Sequence, residues 1–324
     1  MMTPASFPAA SFPPAVFPDA VPALLEAFTP AARDLLPGLV IHEGVPDRAA
    51  LIGRLRGHVG FLNNESYVDD EVLDACPELK VMVFLGTGVS SYVDLAACAR
   101  RGVMVRNVVR YGDRTVAEHT VGLLFAVFRR IAQQDAALRA GRWQGGTIGE
   151  LRGRTIGIVG FGGVGREVAD LARALGMRVL CWTRTSPADA VHCEFVGLDE
   201  LLARADVVSL HIGLTEETRG FLDAGRLRRM KRGAVLINTA RGAVLDEGEL
   251  ASMLRDGHLS AAGLDVYTVE PLPPGHELTT LPNVTLTCHT GWQSPEAAER
   301  LMTYGARALR EELEAYAAGA AASH

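Results

Sequence analysis

Gly160-Phe161-Gly162-Gly163-Val164-Gly165 carries glycine at the spacing G-x-G-x-x-G. Glycines placed so let a chain turn sharply and bring its backbone N–H groups against a pyrophosphate. The apolar run Ile156 to Val159 just before it reads as a strand, and Arg166 to Leu175 just after it as a helix. That strand–turn–helix setting is what gives the motif its meaning. Gly160 permits the turn, Gly162 the close approach of phosphate, and Gly165 tight packing of helix on strand. With Gly163 and Val164 they open a helix whose free N–H groups and partial positive charge suit a dinucleotide.

The next strand ends in Cys181-Trp182-Thr183-Arg184-Thr185-Ser186, and no acid lies between Asp170 and Asp189. A site for NAD usually puts Asp or Glu at this strand end, to accept from the ribose 2′-hydroxyl. Arg184, with the Thr185 hydroxyl beside it, instead suits a 2′-phosphate, so NADP is expected in preference to NAD. The alternative is an exposed arginine that stacks on adenine and reads no charge.

Such residues need a frame of strands and helices. Short buried runs at 39–41, 59–62, 81–85 and 103–105 alternate with helix-like spacing at 47–56, 69–76 and 93–101, which predicts a parallel α/β sheet. One long helix is expected over 115–140, followed by a glycine-rich connection at 141–153. A second series places strands at 155–159, 178–182, 206–210, 234–238, 261–266 and 284–287, the number in a complete dinucleotide-binding sheet. A helix from Pro295 to about Tyr316 closes the chain. Nine of the 16 prolines lie at or before Pro46, and the first dozen residues are expected to form an extended lead-in.

The length of 324 residues makes room for two domains. With 32 Lys+Arg against 38 Asp+Glu, the net charge of -6 argues against a basic surface for nucleic acid. Five scattered cysteines without a CxxC pair suggest neither a disulfide framework nor a zinc site, and point to a reducing cytoplasm. The N-terminus lacks the layout of a signal peptide. The longest apolar stretch, Val121 to Phe128, is far shorter than the roughly 20 residues of a membrane span. A cytoplasmic protein with no membrane partner is expected.

Further motifs follow in order along the chain. Asn238-Thr239-Ala240-Arg241-Gly242, Gly263-Leu264-Asp265-Val266-Tyr267 with Glu270-Pro271-Leu272-Pro273, and His289-Thr290-Gly291-Trp292 stand in the second half. Gly86-Thr87-Gly88 and Val116-Ala117-Glu118-His119 stand in the first. From about residue 40 to its end the chain resembles the D-isomer-specific 2-hydroxyacid dehydrogenases, in particular the glyoxylate/hydroxypyruvate reductase type.

The resemblance implies an α/β fold of two Rossmann-like or flavodoxin-like domains with parallel sheets and an active site in the cleft between them. Residues 1–107 with 291–324 would form the substrate-binding domain, and 108–290 the dinucleotide-binding domain. Arg241 would hold the substrate carboxylate and polarise the C2 carbonyl, His289 would act as acid/base, and Glu270 would pair with His289. Charge develops on the carbonyl oxygen as hydride arrives, which an acid and a fixed cation stabilise. Ala240 would pass beneath the nicotinamide, Asp265 would lie near its carboxamide or support Arg241, and His211 would sit at a cofactor-facing strand end. Gly213 follows where relatives commonly have proline, which loosens that loop.

Thr87 and Gly88 match a loop whose N–H groups grip the substrate carboxylate, although the segment 86–92 is one residue longer than usual. Asn63-Asn64-Glu65 matches another substrate-facing loop and offers no Arg or Lys, which favours a small unphosphorylated 2-oxoacid such as glyoxylate or hydroxypyruvate over phosphoglycerate. Arg110 keeps a second anionic group open. Cys288 reads as a small strand-end residue, because hydride transfer needs no covalent intermediate. A homodimer built on the helix near 115–140 is the family's habit. The competing reading is a non-catalytic nucleotide-sensing protein, like the corepressors built on this fold; formate oxidation would call for glutamine where Glu270 stands.

Overall fold

The computed structural model describes residues 12–143, 145, 149–184 and 193–322. They fall into two units, one within Met1–Gly112 and Ser294–His324, the other within Asp113–Gln293.

In the first unit, β1 (Ala15–Ala20), β2 (Val40–Glu43), β3 (Gly60–Asn63), β4 (Val81–Phe84) and β5 (Met104–Asn107) pair in parallel, in the order β2-β1-β3-β4-β5. β1, β3 and β4 are buried at every position, as strands covered on both faces must be, whereas β2 and β5 are edges with exposed positions. β1 is absent from the sequence expectation, because Pro18 and Asp19 break its apolar run. The structure reconciles proline with a strand by a register shift between Phe17 and Ala20, beyond the residues that pair with β3. The helix Pro295–Ala322 packs on β3 and β4 with Leu309 and Leu313, and its Gly305 admits Leu85 where a Cβ would collide. Ser294 Oγ accepts from Ala297 N at 3.1 Å to start that helix behind Pro295.

In the second unit, β6 (Thr155–Val159), β7 (Arg178–Trp182), β8 (Glu194–Phe195), β9 (Val207–Leu210), β10 (Val235–Asn238), β11 (Ala261–Leu264) and β12 (Val284–Leu286) form a parallel sheet ordered β12-β11-β10-β9-β6-β7-β8. The six expected strands are present, and the short β8 is an addition that two residues could not announce. One core layer packs Leu123, Leu124 and Val127 of the helix Asp113–Phe128 with Val168 and Ala172 of the helix Gly163–Ala174. The opposite layer gathers Leu201, Leu250 and Leu254 from the helices Leu198–Arg204 and Glu247–Arg255. This is the doubly wound arrangement, and its winding reverses between β6 and β9.

The helix expected over 115–140 is two helices, Asp113–Phe128 and Ile131–Arg139. Arg130 between them lies at φ 53°, a left-handed conformation that no helix interior accommodates, so the apolar periodicity runs on while the backbone does not. Asp47, Asp69, Asp94, Asp223 and Asp246 each start a helix by accepting from a backbone N–H three residues on, which gives part of the acidity a structural use.

Candidate active site

The second unit sets its polar residues at the carboxyl ends of its strands. Gly160 follows β6, Arg184 β7, His211 β9, Arg241 β10, Asp265 β11 and His289 β12. Open α/β sheets bind ligands at that edge, beside the strand pair where the winding reverses.

At the reversal, Gly160 has φ 99°, and a Cβ there would strike the His211 carbonyl. A Cβ on Gly165 would overlap the Gly160 carbonyl, so the turn closes only with glycine at both positions. Gly162 is different: a Cβ would meet no protein atom within 4 Å, so the space over the helix N-terminus is open. The cradle therefore fits a dinucleotide phosphate, with room at Gly162 and free N–H groups at the start of Gly163–Ala174. The Asp113 carboxylate lies against Gly163. His211 Nε2 shares a hydrogen with Ser209 Oγ at 2.8 Å, and burial pushes its pKa down to about 3, so the imidazole is neutral.

His289 and Glu270 meet. Nδ1 of His289 lies 2.6 Å from Glu270 Oε2, and Glu270 Oε1 accepts from the Tyr267 N–H at 2.9 Å. Burial works to raise the Glu270 pKa. The hydrogen bonds from His289 and the Tyr267 amide, with the charges of His289 and Arg241, outweigh it and hold the carboxyl below the usual range. Both side chains are about one-third exposed, as groups that meet a ligand must be. Asn238, buried at the end of β10, bonds the Arg241 carbonyl at 2.9 Å and the Ala240 N–H at 3.0 Å, which fixes the turn that carries Arg241. Gly242 lets that turn press on the Tyr267–Thr268 backbone, where a Cβ has no room. Arg241 Nη1 donates to the Ala240 carbonyl at 2.7 Å.

Asp265 serves the loop of His289. Its buried carboxylate accepts from Thr287 Oγ1 at 2.6 Å, Thr290 N at 3.0 Å and Gly291 N at 2.9 Å, while its carbonyl accepts from His289 N at 2.7 Å. These bonds hold His289 at φ 52°, an unusual backbone for a residue with a side chain. Thr287 spends its one hydrogen on Asp265, so its oxygen accepts from His119 Nε2 at 3.0 Å; the same Nε2 is 3.3 Å from Asp265 Oδ1. His119 was visible only as part of a motif. Its link to Asp265 joins residues 146 positions apart (265 − 119), which no local signal announces.

Arg184 is 81% exposed and pairs with Glu217 Oε2 at 2.8 Å. Glu217 comes from the loop after β9, so the sequence order gave no hint that an acid would stand beside the β7 end. Thr185 lies outside the described residues. In the first unit, Thr87 and Gly88 follow β4; Thr87 is exposed and its carbonyl accepts from Asn107 Nδ2 at 3.3 Å.

Comparison with known proteins agrees with this architecture. The model of the D-isomer specific 2-hydroxyacid dehydrogenase NAD binding domain matches residues 121–291. A glyoxylate reductase of Thermofilum pendens is 38% identical over 285 residues, 84% of this chain and 84% of that protein. A glycerate dehydrogenase of Methylorubrum extorquens is 37% identical, over 83% of this chain and 86% of that one. The solved TT0316 protein of Thermus thermophilus superposes with a TM-score of 0.83 at 39% identity, covering 93% of this chain and 97% of its own. The chain belongs to the D-isomer specific 2-hydroxyacid dehydrogenase family. It is accordingly an oxidoreductase that binds a nicotinamide dinucleotide.

Proposed function

We propose that this enzyme reduces a small unphosphorylated 2-oxoacid, of the glyoxylate or hydroxypyruvate class, to the D-2-hydroxyacid, with His289 as acid/base. The observation that carries the reading is the 2.6 Å pair of His289 and Glu270 at the same strand edge as Arg241 and the phosphate turn. A bound reduced nicotinamide supplies the hydride. Glu270, ionised, accepts from Nδ1 and leaves Nε2 of His289 to deliver the proton to the carbonyl oxygen. Arg241 holds the carboxylate with its rigid fork and stabilises the developing charge. The names of the two relatives above support this substrate class, since glycerate is the reduced partner of hydroxypyruvate.

Gly160, Gly162, Gly163, Val164, Gly165, Ala240, His211 and Asp265 serve the cofactor side, Asp265 through the loop it holds. NADPH is preferred over NADH through Arg184 and Thr185, a preference that Glu217 weakens by drawing on the same guanidinium. The enzyme works in the cytoplasm as a homodimer; exposed Ile131, Leu138 and Trp143 on and after the helix Ile131–Arg139 support such a contact.

A panel of 2-oxoacids assayed with NADPH and NADH in parallel tests the reading. Reduction of glyoxylate and hydroxypyruvate is expected, with His289→Ala binding cofactor normally and turning over on the order of a thousandfold more slowly. Undiminished turnover in His289→Ala would remove His289 from the chemistry. Faster turnover with NADH at limiting cofactor would reverse the cofactor assignment.

A further inference from the structure

The Arg241 turn follows β10 and the His289 loop follows β12, with β11 lying between the two strands. No backbone ladder therefore joins the two loops directly. The helix Asp113–Phe128 crosses this part of the same unit. Gly263 of β11 lets it lie close, since a Cβ there would meet Leu123 and Val127 of the helix. Successive side chains on a helix point roughly 100° apart, so neighbouring residues can serve different strand ends.

His119 and Thr120 do so. His119 Nε2 donates to Thr287 Oγ1 at 3.0 Å, and a Cβ on Gly291 would press on its ring. Thr287 and Gly291 stand two residues before and two after His289, and both bond the Asp265 carboxylate. The imidazole of His119 thus touches the loop on either side of the proposed acid.

Thr120 faces the other strand end. Its Oγ1 spends its hydrogen on the Val116 carbonyl at 2.7 Å, so the Thr239 hydroxyl must donate to it, at 2.8 Å. Both threonines are buried, and a buried hydroxyl stripped of its partner is costly. Thr239 stands two residues before Arg241, in the turn that Asn238 fixes. One helix therefore bonds the cation's turn with one residue and the acid's loop with the residue before it. A proton donor and a cation can act on one carbonyl only while their spacing holds, and a displacement of about 1 Å can cost on the order of a hundredfold.

We propose that His119 and Thr120 are positioning residues through which the helix Asp113–Phe128 sets the spacing of His289 and Arg241, His119 serving proton delivery and Thr120 the grip on the substrate carboxylate. The proposal rests on the 2-oxoacid reading above, and the test separates the two.

Wild type, His119→Asn, His119→Gln, Thr120→Val and Thr120→Ser are compared by steady-state kinetics with glyoxylate and hydroxypyruvate. Amide hydrogen exchange is followed in parallel. Glutamine can place an amide N–H where the imidazole Nε2–H stands, and asparagine falls short of it. His119→Asn should therefore lower kcat on the order of tenfold with KM for the 2-oxoacid within about twofold, and His119→Gln should recover most of the loss. Thr120→Val keeps the shape and leaves the Thr239 hydroxyl without its acceptor. KM for the 2-oxoacid should then rise on the order of tenfold with kcat within about threefold, and Thr120→Ser should restore it. Exchange should quicken at 290–291 in His119→Asn and at 239–241 in Thr120→Val, each variant leaving the other segment unchanged. Because the two residues are varied separately, a variant that folds poorly leaves the other pair to decide. Equal losses in His119→Asn and His119→Gln, or kcat and KM moving together in His119→Asn and Thr120→Val, would reduce the two residues to a structural role and overturn the proposal. Unchanged exchange at both segments would also overturn it. Wild type inactive on every 2-oxoacid would instead defeat the functional reading, while exchange would still report whether the helix holds the two loops.

Discussion

Glu270 is ionised at neutral pH, so its Oε2 can only accept, and the His289 Nδ1 at 2.6 Å must carry a hydrogen. The carboxylate thus fixes which imidazole nitrogen is left free, namely Nε2. Glu270→Gln keeps the shape and removes the charge; turnover should fall on the order of a hundredfold or more, with cofactor affinity within about twofold. Stopped-flow reduction with a fluorescence titration of cofactor reads both quantities. At the other end of the cofactor site the relevant charge is a competitor. Glu217 holds Arg184 at 2.8 Å, and both are largely exposed, so the pair itself adds little stability. Its effect should be on selectivity: Glu217→Gln frees the guanidinium, and the ratio of kcat/KM for NADPH to that for NADH should rise several-fold. An unchanged ratio would place the 2′ group of the ribose away from Arg184.

The turn after β6 and the loop after β12 show two ways in which an element constrains a site. Gly165 is required by the protein, since a Cβ would overlap the Gly160 carbonyl, whereas Gly162 faces open space. Gly165→Ala should therefore lower the melting temperature. Gly162→Ala should melt within about 2 °C of wild type, yet raise the cofactor KM on the order of tenfold. The loop after β12 depends on a charge. Burial works to raise the Asp265 pKa, but hydrogen bonds from His119, Thr287, Gly291 and Thr290 hold it below the aspartate value of 3.8. A carboxyl with a lowered folded pKa stabilises the fold fully above its unfolded value, and that contribution is lost as pH falls through the folded value. Urea midpoints of wild type and Asp265→Asn should therefore differ by a constant amount at neutral pH and converge below about pH 3.8. A gap that persists into acid would show that Asp265 acts through shape alone.

On the scale of the molecule, the helix Pro295–Ala322 belongs to the first unit although it follows the second in sequence. Its Leu309 and Leu313 seal β3 beneath Gly60, so the chain's last segment helps bury the strand that ends at Asn63. Exposed Ile131, Leu138 and Trp143 are the apolar surface assigned to a second copy. Sedimentation velocity should find a dimer, and Ile131→Glu with Leu138→Glu should shift it to monomer while the melting transition of each unit persists. The strands of both sheets were readable because parallel strands covered on both faces become unbroken apolar runs, as at Val235–Asn238. β1 was not, because Pro18 is tolerated only through a register shift set by its neighbours. The helix break at Arg130 was hidden for a similar reason: the apolar spacing continues across a backbone turn that tertiary packing selects.

The sequence by itself determined the alternation of strands and helices, and it singled out the glycine turn at 160–165 and Arg241, Glu270 and His289 as side chains at strand ends. Each of these is a local property: glycine at a fixed spacing, a side chain at a strand end, an apolar period. Tertiary structure decided which carboxylate each loop answers to. Asp265 holds the loop of His289, Asp19 fills the amides of 64–66, and Glu217 draws on Arg184. These pairings span 26, 47 and 33 residues, and a hydrogen bond over such separations exists only after the sheets have brought strand ends together.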